Sequence, residues 1–463
     1  MTDIKSGAWN IAAKTALTVL KGDANAVYSP VCVYEGLRIV RMGASGASAR
    51  ELDELLGVEK PEGDWLGLER VDEWSYEDYK AHIAAGVWLD RRAEPSAEFV
   101  EDCRMANVPI AEIDLAAPGA GEQIAQWISD KTEGLLAPTV DLDADALACV
   151  ASALYLKDAW ANEFDRRATR RGAFHAEDGD VDADFMASET DMPVADMDFG
   201  TVVSYPLSNG ASMLFALPNE DVALADLIAD GSLPESVRCF GGAIIDVELH
   251  VPKFSCETTV DDMNLALTKS GFATAGMPDL SPMTGRAGTP ASYAHGAKIA
   301  VDEDGIEAGA YFAMVACAGA MPELWEPPKP RVIVLDRPFA YVVVSRTGQP
   351  LFIGTVCSPE ADPYAWLPYE SGSEKGSEDG WIVEDEEIPG VCRITLEEGG
   401  HSPYAITCGV YGLMVHTAFA GDFDEAMGKY NGMKRDLEEC ARLLDDESFE
   451  TGAWCDEFID KWI

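Results

Sequence analysis

Helical patterns come first in this chain and short strand patterns follow, and this order constrains the fold more than any other feature. Helices are expected at residues 4–20, 30–43, 48–56 and 121–140, the last of which ends in a strand. A strand pattern over 81–91 interrupts them, and short β runs then recur as far as residue 355. Helices followed by many strands predict a large mixed α+β domain.

The composition changes after Pro359, where a stretch rich in Gly, Ser and acidic residues is typical of a linker. The chain has 463 residues, and single cores usually stop growing at about 250–300 residues, so a second domain is expected. We therefore predict a domain over 1–359, a linker over 360–380 and a small α+β domain over 381–463. No family pattern is recognised in the last of these.

The charge of the chain excludes several classes of partner. It has 82 acidic and 34 basic residues, which gives a formal net charge of -48, and no Lys/Arg-rich stripe offsets the acidic excess. Such a chain repels phosphate backbones and anionic lipid headgroups. We expect no nucleic-acid partner and no membrane partner.

The cysteines and the N-terminus bear on location. The eleven cysteines are an odd number without a CxxC pair, which favours reduced, mostly buried thiols over a disulfide framework or a zinc site. The first residues lack a basic start followed by an apolar core and a small-residue cleavage site. A cytoplasmic location is expected, and an extracellular one if a leader has been removed.

The sequence offers little for catalysis. It has no Walker loop and no GxSxG, and the six histidines form no HxxxH or HExxH spacing. Cys317 and His295 could be imagined as a nucleophile and its base, but a thiol in uncharged, apolar surroundings has nothing to lower its pKa. We expect no catalytic residues, no metal and no cofactor.

One stretch differs from the rest of this acidic chain, because the fifteen positions from Ala308 to Pro322 carry no charge. It is too short to span a bilayer, which needs roughly 20 apolar residues in a helix. It is also longer than ordinary strands of about 3–10 residues, and Gly309 and Gly319 oppose a stable helix. The alternative interpretation is an ordinary apolar core segment.

With its flanks, this stretch resembles the reactive-centre loop of a serpin, and other segments resemble the same family in the same order. The supporting positions are Asn25, Ser29, Pro30, Gly43 and Leu55, the run "IAQWISDKTEGLL", Trp160, Phe164, Thr169, Phe174, "VPKF" at 251–254 and residues 337–359. The resemblance implies an α+β fold of three β-sheets and eight or nine helices with an exposed loop. In this family, the loop is cut by a protease and inserts into the central sheet as a new strand.

The resemblance assigns the loop to Ile306, Glu307, Ala308, Gly309, Ala310, Tyr311, Phe312, Ala313, Met314, Val315, Ala316, Cys317 and Ala318. Side chains of a strand alternate between two faces. One face would start at Ile306 and carry only apolar residues, Phe312 and Met314 among them. Burying these three side chains contributes about 5–9 kcal/mol at roughly 1.5–3 kcal/mol each.

Further positions follow from the same resemblance. The expected scissile bond joins Gly319 and Ala320, but the loop is longer than usual, so any bond from Ala316 to Leu324 stays open. Lys253 and Glu303 are expected to form a salt bridge at the base of the loop. The residues expected where the sheet opens are Ser29, Cys32, Ser152, Trp160 and His295.

The resemblance implies a monomeric protease inhibitor and not an enzyme. Small apolar residues near 318–321 suit an elastase-like or subtilisin-like serine protease, with a cysteine protease as the other target class. One alternative is a non-inhibitory serpin that acts as a binding or structural protein. A hydrolase that uses Cys317 is the least favoured reading.

Overall fold

A computed structural model describes residues 4–57, 74–76, 79–229, 231, 233–238, 240–306, 330–359, 361, 363–369, 373–444 and 449–462. The predicted loop from Glu307 to Ala318 and the predicted scissile pair, Gly319 and Ala320, lie outside these residues. The first loop residue, Ile306, lies inside them.

Two helix ends in the N-terminal part of the chain show ordinary capping chemistry. The helices are α1 (Ile4–Val19), α2 (Pro30–Met42), α3 (Gly46–Leu56), α4 (Ala97–Met105), α5 (Ala120–Lys131), α6 (Leu224–Ala229), α7 (Leu233–Arg238), α8 (Asn264–Lys269), α9 (Ser281–Thr284), α10 (Phe423–Leu443) and α11 (Thr451–Lys461). The Ser29 side chain accepts a hydrogen bond from the backbone N–H of Cys32, and Pro30 occupies the first turn of α2. Gly57 ends α3 in the left-handed conformation.

The expected helix over 121–140 is shorter than the pattern suggests, and no strand follows it in residues 132–147. Glu133 and Gly134 both have positive φ, of 51° and 83°. Two consecutive left-handed residues turn the chain sharply, so the apolar residues that follow cannot continue the helix or begin a strand in line with it.

Among the described residues, nine strands form the first sheet. They are β1 (Ala26–Tyr28), β6 (Arg170–Ala176), β7 (Gly179–Met197), β8 (Gly200–Pro206), β9 (Ser212–Pro218), β10 (Ala243–Pro252), β14 (Arg331–Val334), β15 (Phe339–Val344) and β16 (Pro350–Val356). Their order is β1-β16-β15-β9-β8-β7-β10-β14, and β6 also pairs with β7. All seven residues of β16 are buried, which is expected for a strand covered on both faces.

Seven strands form the second sheet, which holds the candidate site. They are β2 (Trp74–Tyr76), β3 (Tyr79–Asp90), β4 (Ile110–Ile113), β5 (Ala148–Ala159), β11 (Phe254–Val260), β12 (His295–Val301) and β13 (Gly305–Ile306). Their order is β11-β12-β13-β5-β3-β2, and β4 pairs with β3. The two-residue strand β13 therefore lies between two much longer strands.

The third sheet lies in the C-terminal part. Its strands follow chain order: β17 (Leu367–Pro368), β18 (Trp381–Ile388), β19 (Cys392–Glu398), β20 (Tyr404–Val410) and β21 (Met414–Ala420). Residues of α10 such as Tyr430, Met433 and Leu437 join the inward residues of these strands in one apolar core. The region predicted as a linker thus contains β17.

The fold class predicted from the sequence, α+β with three sheets, is confirmed. By its contacts the chain divides into two compact units. The first comprises residues 1–164, 173–181 and 188–359, and the second comprises 165–172, 182–187 and 360–463. Among the described residues, no helix is long and apolar enough to cross a membrane.

Candidate functional site

The central strand β5 is paired very differently along its two edges. On one edge it forms an antiparallel ladder of ten residue pairs with β3, from Lys80↔Lys157 to Leu89↔Ala148. On the other edge, within the described residues, it pairs only with β13, through Gly305↔Ala159 and Ile306↔Asp158. In turn, β13 pairs with β12 only through Val301↔Ile306.

These pairings leave a gap between two strands of one sheet. Below β13, residues 148–157 of β5 and 295–300 of β12 have no strand partner on their facing edges among the described residues. Ser152 lies six residues below Asp158, and His295 lies six residues below Val301, so these two residues lie at the same level of the sheet. We call this space the β5–β12 gap, closed above by β13.

Ile306 and Gly305 fit the upper end of the gap for different reasons. The Ile306 side chain is buried, with 2% of its surface exposed. Gly305 has a φ of 155°, and a Cβ atom on it would lie 2.2 Å from the Asp158 carbonyl oxygen. Only glycine permits this close approach, so the turn before Ile306 can bring the chain into the sheet.

The turn above the gap is fixed by polar contacts. Lys253 Nζ and Glu303 Oε2 are 3.0 Å apart, and the Glu303 side chain is only 4% exposed. The indole N–H of Trp160 donates to the Asp302 carbonyl oxygen at 2.7 Å. The Asp302 carboxylate accepts from the backbone N–H of Asp304 at 2.9 Å, and burial raises the pKa of this carboxyl.

Asp158 is a functional candidate that the sequence reading missed. It is fully buried directly opposite Ile306, and the Ser208 hydroxyl donates to its Oδ1 at 2.6 Å. Burial raises the pKa of its carboxyl to about 6. The signal in the sequence was the charged pair Lys157 and Asp158 at the end of the apolar strand run "ALYL", directly before Trp160.

Four of the predicted residues form one hydrogen-bonded network at the lower end of the gap. The Ser29 backbone N–H donates to His295 Nε2 at 3.1 Å, and the Ser29 hydroxyl donates to the Leu351 carbonyl oxygen at 2.7 Å. The Ser152 hydroxyl donates to the Cys32 carbonyl oxygen at 2.7 Å. The backbone of Cys32, rather than its thiol, therefore joins Ser152 to α2.

The two titratable side chains of this network are held neutral. Burial lowers the pKa of His295 to about 4, and the Tyr28 ring packs edge-on against it at 5.0 Å. Burial raises the pKa of the Cys32 thiol to about 12. A neutral imidazole that accepts a backbone hydrogen bond is a structural group, and Cys317, its imagined catalytic partner, lies outside the described residues.

The predicted residues thus fall into two groups. Trp160, Lys253, Glu303 and Ile306 lie around the upper end of the gap, while Ser29, Cys32, Ser152 and His295 lie around the lower end. The gap itself carries no reactive nucleophile or base among the described residues. Its chemistry is that of a sheet able to accept one more strand.

Comparisons with known proteins agree with this geometry. The sequence model of the family described as "Serpin (serine protease inhibitor)" matches residues 8–359. Serpin-ZX of Arabidopsis thaliana is 28% identical over 385 residues, which cover 75% of this chain and 95% of the relative. The solved structure of the thermophilic serpin Tengpin in its native state has a TM-score of 0.65 at 21% identity and covers 77% of this chain and 94% of that one.

A structure of thyroxine-binding globulin in complex with thyroxine is also similar, with a TM-score of 0.60 at 23% identity, and covers 76% of this chain and 99% of that one. At these identities the solved structures establish the fold, and the family match spans most of the chain.

Proposed function

This chain belongs to the serpin family, and we propose that it inhibits a serine protease by letting its loop be cut and inserting the cut loop into the β5–β12 gap. The observation that carries the proposal is the position of Ile306, buried at the top of a gap that the described residues leave unpaired along the rest of its length. The remaining steps extend the observed register downwards.

The observed pair Ile306↔Asp158 sets the register of an inserted strand. Antiparallel pairing would continue with Glu307 opposite Lys157 and end with Ala316 opposite Ala148. The inserted strand would therefore use residues 307–316, and Ala316 is the first position of the predicted scissile window. Phe312 would reach the level of Ser152 and His295 at the lower end.

Side-chain sizes match along this register. On the core side, Ala308 and Ala310 would face the buried Leu156 and Leu154, and Phe312 would face the small Ser152. Pairing a large residue with a small one fills a sheet face without strain.

The opposite face shows the same alternation of sizes. Gly309 would face Tyr155, and Tyr311 would face Ala153. An arbitrary apolar segment would not show this alternation on both faces.

The one charge in the inserted segment also has a partner. Glu307 would lie opposite Lys157, whose register partner on the other side, in β3, is Lys80. Like charges directly opposite each other destabilise a sheet, and opposite charges stabilise it. Insertion would therefore place an acidic residue next to Lys157, with the Lys80 position one strand further away.

The target class follows from the cleavage region. Residues 318–321 are Ala, Gly, Ala and Met, which suit proteases with a shallow, apolar specificity pocket, such as elastase-like or subtilisin-like enzymes. Trypsin-like enzymes require Lys or Arg, and this region has neither.

The test is incubation with a panel of elastase-like, subtilisin-like, trypsin-like and cysteine proteases, followed by electrophoresis in SDS. We expect a covalent complex that resists SDS with an elastase-like or subtilisin-like enzyme. Ala310→Glu would bury a charge against Leu154, so we expect cleavage without complex. Ala310→Ser, which changes the same position without adding a charge, is the matched control and should still form complex.

Cleavage of the parent protein without any complex would reject the inhibitory proposal. It would support the alternative, a non-inhibitory serpin that acts as a binding or structural protein.

A further inference from the structure

The last two helices of the C-terminal unit each carry one cysteine, Cys440 on α10 and Cys455 on α11. Cys440 is buried, Cys455 is half-buried, and both thiols are free. Only residues 444–450 connect the two helices. A connection this short folds α11 back along α10 as the second half of a helical hairpin.

Contacts of Trp462 and Lys461 fix the level at which the two helices meet. The Trp462 ring lies directly on Gly432 of α10, where a Cβ atom would collide with it. The indole N–H of Trp462 and the ammonium of Lys461 both donate to Asp436 Oδ2 at 2.7 Å. The end of α11 is therefore level with the middle of α10, and the two helices run antiparallel.

Sequence spacing from these contacts brings the two thiols to one level. Cys440 follows Gly432 by eight residues, and Cys455 precedes Trp462 by seven. Steps of seven or eight residues return to nearly the same face of an α-helix. Because the helices are antiparallel, both steps run in the same direction, and they differ in length by only about 1.5 Å.

The ionisation of the thiols agrees with this placement. Burial and, after it, the negative charge of Cys455 raise the pKa of the Cys440 thiol to about 11. Burial also raises the pKa of Cys455, with a further contribution from Asp456. The two sulfur atoms are therefore close enough to influence each other, and only Cys455 is accessible to a reagent from solvent.

A partly exposed thiol with a buried thiol beside it suits thiol–disulfide exchange. We propose that Cys440 and Cys455 form a reversible disulfide, which joins α10 to α11, when the protein meets a small disulfide oxidant. Both cysteines lie in the C-terminal unit, so this modification does not depend on the proposed inhibition of a protease.

The exchange proceeds in two balanced steps. The Cys455 thiolate attacks one sulfur of the oxidant, breaks its S–S bond and releases one half as a thiolate, which leaves a mixed disulfide on Cys455. The Cys440 thiolate then attacks the Cys455 sulfur and releases the other half. The oxidant gains two electrons, the cysteines lose them, and their two protons pass through solvent to the released thiolates. Because both thiols are mostly protonated at neutral pH, the reaction is slow and needs hours.

The test is incubation of the native protein with 2-hydroxyethyl disulfide, an uncharged oxidant that this acidic chain does not repel. We expect a product that is lighter by two hydrogen atoms and retains no reagent. Trypsin cleaves after Arg435, Arg442 and Lys461, so digestion should give peptide 436–442 joined to peptide 443–461. Dithiothreitol should separate the two peptides.

Variants assign the role of each thiol. Cys440→Ser should keep the reagent as a mixed disulfide on Cys455, because the second attacking thiol is missing, and Cys440→Ala repeats this test if serine disturbs the core. Cys455→Ser should take up no reagent at position 440, which is buried. Cys392 of β19 is the other thiol near Cys440, since Cys440 contributes to the raised pKa of Cys392 after burial. Cys392→Ser is therefore the matched control and should form the cross-link as the parent does.

The cross-link should also raise Tm by several degrees, because it closes a loop of about 15 residues and so restricts the unfolded chain. Three results would overturn the assignment: no cross-linked peptide from the native protein, a cross-link through Cys392 instead of Cys455, or a cross-linked product whose Tm is no higher than that of the reduced protein. The last would mean that the helix pair does not hold the thiols in a geometry that a disulfide can adopt.

Discussion

The two edges of β5 are paired to different extents. Toward β3 the strand is paired over ten residues, and its core-facing residues there, such as Leu154 and Leu156, are buried. Toward β12, in the part of the chain that the structure describes, it is paired over two residues, at Asp158 and Ala159. The sequence of β5 is the same for both edges, so the difference is a property of what lies beside it.

This difference identifies an edge of the sheet along which further strand pairing could stabilise the fold. Each backbone pair that the described residues leave unmade along this edge forgoes roughly 0.5–1.5 kcal/mol of hydrogen bonding. In the proposed mechanism, the segment that fills the gap belongs to the same chain and begins at Ile306. Its insertion would make the sheet more stable once the segment has a free end.

The largest expected effect is that of cutting the loop. Cleavage between Ala316 and Leu324 should let residues 307–316 pair along the β5–β12 gap, which would make the two edges of β5 alike. We expect Tm to rise by about 10 °C or more, because ten added backbone pairs and the burial of Phe312 and Met314 are worth several kcal/mol after the ordering entropy. Differential scanning calorimetry before and after limited proteolysis measures it.

The control for this experiment is the cut Ala310→Glu variant. Its cleavage site is intact, but the new carboxylate would face Leu154, so its rise in Tm should be much smaller. A cut parent protein that melts no higher than the uncut one would contradict insertion.

The next effect concerns the contacts that hold β13 in place. Glu303→Lys would replace the 3.0 Å pair with Lys253 by two like charges, one of them at an almost fully buried position. Breaking a buried pair costs roughly 3–5 kcal/mol, and the lower end applies here because Lys253 is 27% exposed. The loosened base should admit a loop from another molecule and produce polymers on mild heating.

Size-exclusion chromatography after heating detects these polymers. Glu303→Gln keeps the shape of the side chain without the like-charge repulsion, so it should polymerise less than Glu303→Lys. If Glu303→Lys forms no more polymer than the parent, the pair does not hold the base of the loop.

Much of this architecture could be predicted from the sequence, because its signals are local. The N-cap at Ser29 and the strand runs at β5 and β12 each lie within one segment. The order of motifs supplied the resemblance that brings Ser29, Ser152 and His295 together.

Other features could not be predicted, because they depend on partners far away in the chain. β13 has two residues, too few to show a strand pattern, and it is defined by its pairing with Asp158 and Ala159 on one side and Val301 on the other. Burial of Asp158 depends in the same way on Ser208, which follows fifty residues later.

Two ionisable groups at opposite ends of the gap should give opposite pH dependences. The pKa of His295 falls from 6.5 to about 4, so its stabilising effect is complete above pH 6.5 and is lost as the pH falls to 4. The pKa of Asp158 rises from 3.8 to about 6, so its effect is complete below pH 3.8 and is lost as the pH rises to 6. Each shift is worth about 3 kcal/mol, and the two largely cancel between pH 4 and 6.

Single variants separate the effects of these two groups. Asp158→Asn should raise the free energy of unfolding at pH 7 by up to about 3 kcal/mol and make the protein lose stability more steeply in acid. His295→Gln removes the group that loses stability in acid, so the free energy of unfolding of this variant should rise as the pH falls from 6 to 4. Urea unfolding of both variants at pH 7 and pH 4.5 measures this, and parallel pH profiles for parent and variants would contradict the assignment.

The smallest effect tests the register of the inserted strand through one charge pair. If Glu307 reaches Lys157, then Lys157→Glu places two acidic residues opposite each other, and Glu307→Lys adds a third basic residue beside Lys157 and Lys80. Cross-strand charge pairs are worth roughly 0.2–1 kcal/mol, so each single variant should shift the ratio of trapped to released protease by up to about fivefold. The double variant, Lys157→Glu with Glu307→Lys, restores opposite charges between these two positions and should recover most of the trapping, while Tm of the uncut protein changes little in all three. Equal losses in the single and double variants would mean that these residues do not meet, and that the inserted strand is displaced from the register that Ile306 and Asp158 begin.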